Sequence, residues 1–387
     1  REMAENFGLV RKSMRPKLGR RSFFTPEGKV ALMFLKMYTG LSCPKLMEHL
    51  NGNINYQIFC DVIVDPTRPL TNYKLLDDIM MEIAGKLKMQ QIQGILADKW
   101  KPYMENLDTM YTDATCYESE MRYPTDAKLL WEGIEKSYAT MCELSSRLGI
   151  HRPRTKFLDV QKANLTYRKQ RKHSRSQTRK ITRRLLDLLG KILKEIREIE
   201  RGHENAENLL TVREKSDLEI ITRMYRHQKN HFRNNDSRES IPNRIVSLSK
   251  PHLRPIVRGK EVKSVEFGAK VNNILVDAKI VGGDTGYAGT ENRGYCKANG
   301  IQTSFVKRGR PFGEKKKEKD LVRKELARVR ATAMEGSFGT QREHYDLRRV
   351  KARTKRTEIL YIFFGIHTAN VVQLADRIEQ RARLAAA

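Results

Sequence analysis

The spacing of apolar residues changes three times along this chain, and the changes divide it. From Thr25 to Gly40, "TPEGKVALMFLKMYTG" keeps helical spacing, with Thr25 as N-cap, Pro26 in the first turn and Glu27 close behind. Gly40 ends that pattern, Ser42 caps the next, and "SCPKLMEHLNGN" predicts a shorter helix ending at Asn51–Gly52. Pro66 and Pro69 interrupt, and then "NYKLLDDIMMEIAGKLKMQQIQGIL" resumes helical spacing. A helical domain over 1–105 follows. Two helices joined by a tight glycine turn fit a DNA-binding helix-turn-helix, or equally a hairpin used for packing or dimerisation.

At "DTMYTDATCYES" (108–119) the period drops to two: Met110, Thr112, Ala114 and Cys116 alternate with Tyr111, Asp113, Thr115 and Tyr117. That predicts a β-strand with Asp113 projecting from its middle, an unusual place for a carboxylate unless it is paired or binds a metal. Residues 152–240 return to helical spacing. Ile181, Leu185, Leu188, Ile192, Ile196 and Ile199 recur at three- or four-residue steps, and "EKSDLEIITRMYRHQKNHF" predicts a second helix. From 241 on the pattern is mixed. "NRIVSLS", "SVEFGAKVNNILVD" and "AKIVGGD" read as strands, no helical pattern directly follows "GGDTGYAG", and Val322, Leu326, Val329 and Ala333 mark one face of a helix. "ILYIFFGI" (359–366) suits a buried strand or helix segment. The fold class is mixed α/β behind a helical N-terminal domain, with parts at 1–105, 106–151, 152–240 and 241–387.

Charge narrows the function. The 387 residues hold 75 Lys+Arg against 46 Asp+Glu, a net charge of +29 with a pI near 10.0. Self-repulsion on that scale points to a polyanionic partner, and the 39% hydrophobic content still allows packed cores. The densest stretch holds Arg168, Lys169, Arg171, Lys172, Arg175, Arg179, Lys180, Arg183 and Arg184, either a solvated helical face or an arm that tracks phosphates. No apolar run approaches the roughly 18 residues of a membrane helix, and nothing resembles a signal peptide. Cys43, Cys60, Cys116, Cys142 and Cys296 form no CxxC pair, so the expectation is a reduced, intracellular, nucleic-acid-binding protein.

Three carboxylates stand out by context: Asp113 in mid-strand, Asp284 at the end of an apolar strand before a glycine-rich turn, and Glu335 in "RATAMEGSFG". Functional groups gather at the carboxyl ends of strands in α/β sheets. Converged carboxylates repel unless a divalent cation neutralises them, and oxygen ligands select Mg2+ or Mn2+. Two such ions about 4 Å apart clamp the attacking and leaving oxygens of a phosphoryl displacement.

Four ordered words, "YTDATCYESEMRYPTDAKLL", "RIVSLSKPHLRPIVRGKEVKSVEFGAKV", "GGDTGYAGTENRGYCKANGI" and "MEGSFGTQREHYDLRRVKARTK", resemble bacterial insertion-sequence transposases with a DDE triad, of the IS-five and IS-eleven-eighty-two type. The resemblance implies a ribonuclease-H-like core interrupted by a helical insertion. Asp113, Asp284 and Glu335 match its catalytic, metal-binding triad, with two Mg2+ per active site and Mn2+ as a substitute. It implies Mg-dependent strand cleavage and transfer on double-stranded DNA (the element's terminal inverted repeats and a target) by a homodimer, with no membrane, and it narrows the location to a cytoplasmic, nucleoid-associated one. Arg342, seven residues after Glu335, matches a phosphate-contacting position. The Tyr and Arg that some relatives carry just before the glutamate have no clean match at Arg330 and Ala331. Further candidate DNA contacts are Arg15, Arg20 and Arg21 at the N-terminus, the nine cations of 168–184, and Arg254, Arg258, Lys260 and Lys270. In such a core "NNILVD" and "AKIVGGD" run parallel, yet a parallel crossover needs about a dozen residues. A segment is therefore expected to be missing between Asp277 and Ala278, unless the topology differs. A metal-dependent nuclease without strand transfer and a non-catalytic basic DNA-binding protein remain open alternatives.

Overall fold

Proline at the first turn, a capping threonine and a left-handed glycine delimit the first long helix, as the sequence predicts. After a single-turn helix α1 (Glu2–Asn6), α2 (Pro26–Thr39) begins where the Gly28 amide donates to Thr25 Oγ1 and stops at Gly40, φ 61°. Ser42 occupies the N-cap of α3 (Cys43–Gly52), though its side chain makes no capping bond. A short α4 (Ile54–Phe59) follows, and the single helical run read over 72–96 is two helices, α5 (Leu75–Gly85) and α6 (Met89–Trp100). The first ends at Gly85, whose backbone freedom disfavours continuing a helix. The computed structural model describes the chain except residues 1, 8, 10–21, 87, 105–108, 204–205, 235–242, 258–264, 273–279, 284–288, 304, 306–319, 322–323, 326–327, 329–331, 333 and 387. The 277–278 junction, Arg330, Ala331 and the helical face Val322, Leu326, Val329 and Ala333 therefore lie outside the described residues.

Two compact units divide the chain: residues 1–120 with 268–387, and residues 121–267. In the first, β1 (Thr109–Thr112) and β2 (Ala114–Glu118) form one extended run broken only at Asp113. β3 (Pro255–Val257) lies in the second unit, antiparallel to residues 265–267 of β4 (Val265–Asn272). The rest of β4, in the first unit, runs antiparallel to β2, with Ala114 opposite Asn272 and Glu118 opposite Gly268. A Cβ at Gly268 would collide with the Tyr117 carbonyl oxygen, so the close strand approach requires glycine there. β5 (Ile280–Gly283) pairs in parallel with β1, and β6 (Gln302–Thr303) in parallel with β5. Between these two strands sits α11 (Thr290–Ala298). The glycine-rich stretch is thus followed by a helix after all; it buries only Cys296, so no apolar periodicity announced it.

The first unit closes with α12 (Glu335–His344) and α13 (Lys355–Ala386). "ILYIFFGI" lies inside α13, where Leu360 through Phe364 are all buried, the pattern of a helix enclosed on every side. By length and composition alone α13 is apolar enough to cross a membrane, a correction to the reading of the sequence. Its apolar half packs instead into a core shared with α1, α2, α3, α5 and α6. Phe364 meets Phe34 and Phe363 edge-on at 5.0 and 5.5 Å and stacks on Phe7 at 6.2 Å. Lys36 Nζ lies 2.6 Å from Asp346 Oδ2, which also accepts from the Tyr361 hydroxyl, so Asp346, between α12 and α13, joins α2 to α13 through a shielded ion pair and a hydrogen bond.

The second unit is α7 (Asp126–Arg147), α8 (Phe157–Lys169), α9 (Arg175–Gly202) and α10 (Val212–Arg233) around their own core. The isoleucines and leucines picked out by spacing on α9 are all buried. "NRIVSLS" is not a strand. Ile245 and Leu248 plug the helical core from an irregular segment, in which Ser247 Oγ accepts from the Lys250 amide. Four consecutive buried residues, Ile245 to Leu248, give a short apolar run that a plug and a buried strand share.

Two measurements check this packing. Phe364→Ala is expected to cost about 3–5 kcal/mol, read as a lowered urea midpoint. Burial pushes the His367 imidazole, set between Trp100 and Phe363, down to about 4. Between its ordinary value and 4 the unfolded chain takes up a proton that the folded one refuses, so stability falls with pH across that window by about 3 kcal/mol. His367→Phe should flatten that part of the stability–pH curve; an unchanged slope refutes the assignment.

Candidate active site and basic surface

The break between β1 and β2 is a single residue, Asp113. Its half-buried carboxylate accepts from the Ala114 amide at 2.8 Å through Oδ1, and Oδ2 has no partner among the described residues. In the parallel pairing of β1 with β5, Thr112 stands opposite Gly283. The next residue in the chain is an aspartate in both cases, Asp113 after Thr112 and Asp284 after Gly283. Asp284 itself lies outside the described residues.

Glu335 opens α12 in its first turn, exposed and with no described partner. The other end of α12 is fastened to β2. Gln341, fully buried, accepts from the Tyr117 hydroxyl, and Arg342 Nη2 donates to Thr115 Oγ1 and, at 3.2 Å, to the Cys116 carbonyl. Burial raises the Tyr117 phenol well above its ordinary value, so it stays a neutral donor. Arg342 thus has one nitrogen engaged on β2, two residues beyond Asp113, while Nη1 and Nε have no described partner. Beyond β2 the pairing continues: the Val350 amide donates to the Glu118 carbonyl, the Glu120 amide to Val350, and Ser119 Oγ bonds the buried Glu358 carboxylate. One strand therefore carries Asp113 and anchors the helix that carries Glu335.

The carboxylates present suit a hard cation. Asp113 and Glu335 offer oxygen atoms that no lysine or arginine among the described residues neutralises. Among the described residues no three His, Cys, Asp or Glu side chains converge to hold an ion, and Asp284 is not in that set.

The second unit holds the other candidates. From Arg152 to Arg184 there are thirteen lysines and arginines and a single acid, Asp159. Arg168 and Lys169 end α8, Arg171 and Lys172 lie in the elbow after it, and Arg175, Arg179, Lys180, Arg183 and Arg184 line the first turns of α9. All nine are exposed, and none has an ion-pair partner among the described residues. The elbow is fixed. Tyr167 stacks on His173 at 4.0 Å and its hydroxyl meets Thr178 Oγ1 at 3.0 Å, while Ser174 and Gln177 close a reciprocal capping box. Phe232, near the end of α10, lies under the Arg179 and Arg183 guanidiniums at 4.8 and 5.8 Å. Reading the sequence passed over Phe232; the aromatic in "KNHFR", interleaved among cations, is the signal that marks it.

The remaining candidates are scattered. Arg254 Nη1 donates to the Pro251 and Leu253 carbonyls of its own turn, and Lys270 is exposed on β4 opposite Cys116. Arg15, Arg20, Arg21, Arg258 and Lys260 lie outside the described residues.

Compared with known proteins, residues 281–372 match the family model of a transposase DDE domain. No curated protein and no solved structure matches the chain. The matched stretch takes in β5, the chain on both sides of Asp284, Glu335, Arg342 and the buried half of α13. Over that stretch the chain is similar to transposase DDE domains.

Proposed function

We propose that the chain is an insertion-sequence transposase with a ribonuclease-H-like core, in which Asp113, Asp284 and Glu335 form one metal-binding triad that cuts and rejoins DNA. The observation that carries the reading is the register of β1 with β5. Two parallel neighbours run in step up to Thr112 and Gly283, and each is followed by an aspartate at its carboxyl end, where α/β sheets assemble their sites. The bond network that holds α12 to β2 supports a third carboxylate in the same region.

The three carboxylates would hold two divalent ions, Mg2+ or Mn2+ by the hardness of their oxygens. Bound there, such ions supply charge neutralisation and an activated oxygen for in-line displacement at phosphorus. The chain's own part is placement. The Asp113 side chain is fixed by the Ala114 amide with one oxygen left over, and Glu335 is presented from a helix end that carries no competing base in its first turn. Arg342 Nη1 and Nε, with no described partner, would serve a phosphate oxygen while Nη2 anchors the helix. The nine cations of 168–184 would track the backbone of double-stranded DNA, the element's terminal repeats and its target. Joining two ends calls for two copies of the chain, in the cytoplasm of a bacterium where that DNA lies.

Asp113→Ala, Asp284→Ala and Glu335→Ala should each abolish Mg2+-dependent cleavage of the element's ends while leaving duplex affinity within about threefold of the parent. Cleavage retained by any one of them would remove that residue from the triad. Strand transfer from pre-cut ends, assayed alongside, distinguishes a transposase from a nuclease that only cuts.

A further inference from the structure

The start of α9 is electrostatically uncomfortable. A helix N-terminus carries partial positive charge and favours acids, yet its first turn holds none. Arg175, Arg179 and Arg183 stand four residues apart on one row, as do Lys180 and Arg184, and like charges at that spacing repel. The capping box and the Tyr167 contacts hold the helix start against this cost. Phe232 does something different: the guanidinium carbons of Arg179 and Arg183 lie 4.8 and 5.8 Å from the centre of its ring. Such a cation–π contact draws on the charge of a guanidinium and leaves N–H groups for other acceptors. Neither arginine has another described partner.

We infer that Phe232 is a positioning residue for DNA: it holds Arg179 and Arg183 over its ring in a fixed arrangement that grips the phosphate backbone of a duplex. The inference rests on the DNA-acting function proposed above. An exposed arginine ordinarily loses rotamer freedom when it binds, and two arginines already held over a ring have lost part of it beforehand. Phe232 contributes no charge and would not touch the DNA. Its partly buried ring is seated on the core of the second unit, which gives the platform a rigid base.

The test uses the full chain and a fluorescein-labelled random-sequence duplex, with affinity measured by anisotropy across a salt series. Arg179→Gln with Arg183→Gln should weaken binding and lower the log–log salt slope by about 2, the loss of two phosphate contacts. Phe232→Leu, which keeps an apolar side chain on the core, should weaken binding about fivefold with the slope nearly unchanged. Phe232→Trp should restore it. In the Arg179→Gln, Arg183→Gln background Phe232→Leu should have no further effect, because the ring acts only through those arginines. An equal loss from Phe232→Leu in both backgrounds would make the ring merely structural and overturn the inference. Wild-type affinity for Phe232→Leu alongside a weakened arginine double variant would also overturn it, leaving the basic surface as a DNA contact. Wild-type affinity and slope for the arginine double variant would remove this surface from DNA binding altogether.

Discussion

Thr112, Thr115, Cys116, Tyr117 and Ser119 are buried, so the backbone from 109 to 120 has to find partners away from water. It finds them in succession: β5 in parallel for the first four residues, β4 antiparallel for the next five, then Val350 on either side of Ser119. Elements from distant parts of the sequence are pinned to one strand by this requirement. The side chains add a second layer of attachment. Thr115, Tyr117 and Ser119 bond Arg342, Gln341 and Glu358, so alternate residues of the strand each fasten a piece of the C-terminal helices. Within this series Asp113 is the exception. It interrupts the ladder, and it is the polar residue of the strand whose second oxygen no described protein group uses.

The two units manage charge in opposite ways. In the first, charged groups that are shielded are matched: Lys36 with Asp346, and Lys29 with Glu82 at 2.7 Å. Such pairs offset the cost of removing each ion from water and fix which surfaces meet. In the second, some acids are used locally, as where Arg244 and Gln228 both reach Asp126 and Arg147 grips Glu214, which is held at about 2 chiefly by that bond. The cations from 168 to 184 have no acid partner among the described residues, and all of them are exposed. Packing therefore does not account for them, and a polyanion is the simplest neutralising partner.

Legibility in the sequence followed how local the signal was. The cap at Thr25, the stop at Gly40 and the apolar row of α9 need only a few neighbouring residues to form, and all three were readable. The strand around Asp113 was readable for the same reason. The interruption at Asp113 was not, because it arises from pairing with strands about 150 residues away. Ile245 and Leu248 looked like strand residues because a buried loop that plugs helices carries the same short apolar run as a buried strand. α11 left no trace, since a helix with one buried side chain has no apolar face to count. The anchoring of α12 by Tyr117 and Thr115 is a matter of tertiary contact between residues more than 200 apart, which no spacing rule encodes.

That anchoring bears on how a carboxylate at Glu335 can be both placed and available. The bonds at Gln341 and Arg342 fall in the second half of α12, and Phe338 is buried in between. Glu335 lies seven residues before Arg342, about two turns or roughly 10 Å up the axis. A helix is stiff over that length, so fixing its far half constrains the position of the first turn without spending any bond on the glutamate itself. The same economy holds at Asp113, where one oxygen is bonded to the Ala114 amide and the other is spare. Among the described residues neither side chain has a basic partner. Carboxylates with open oxygens suit a divalent cation; ones locked into ion pairs with arginine or lysine would first have to be released.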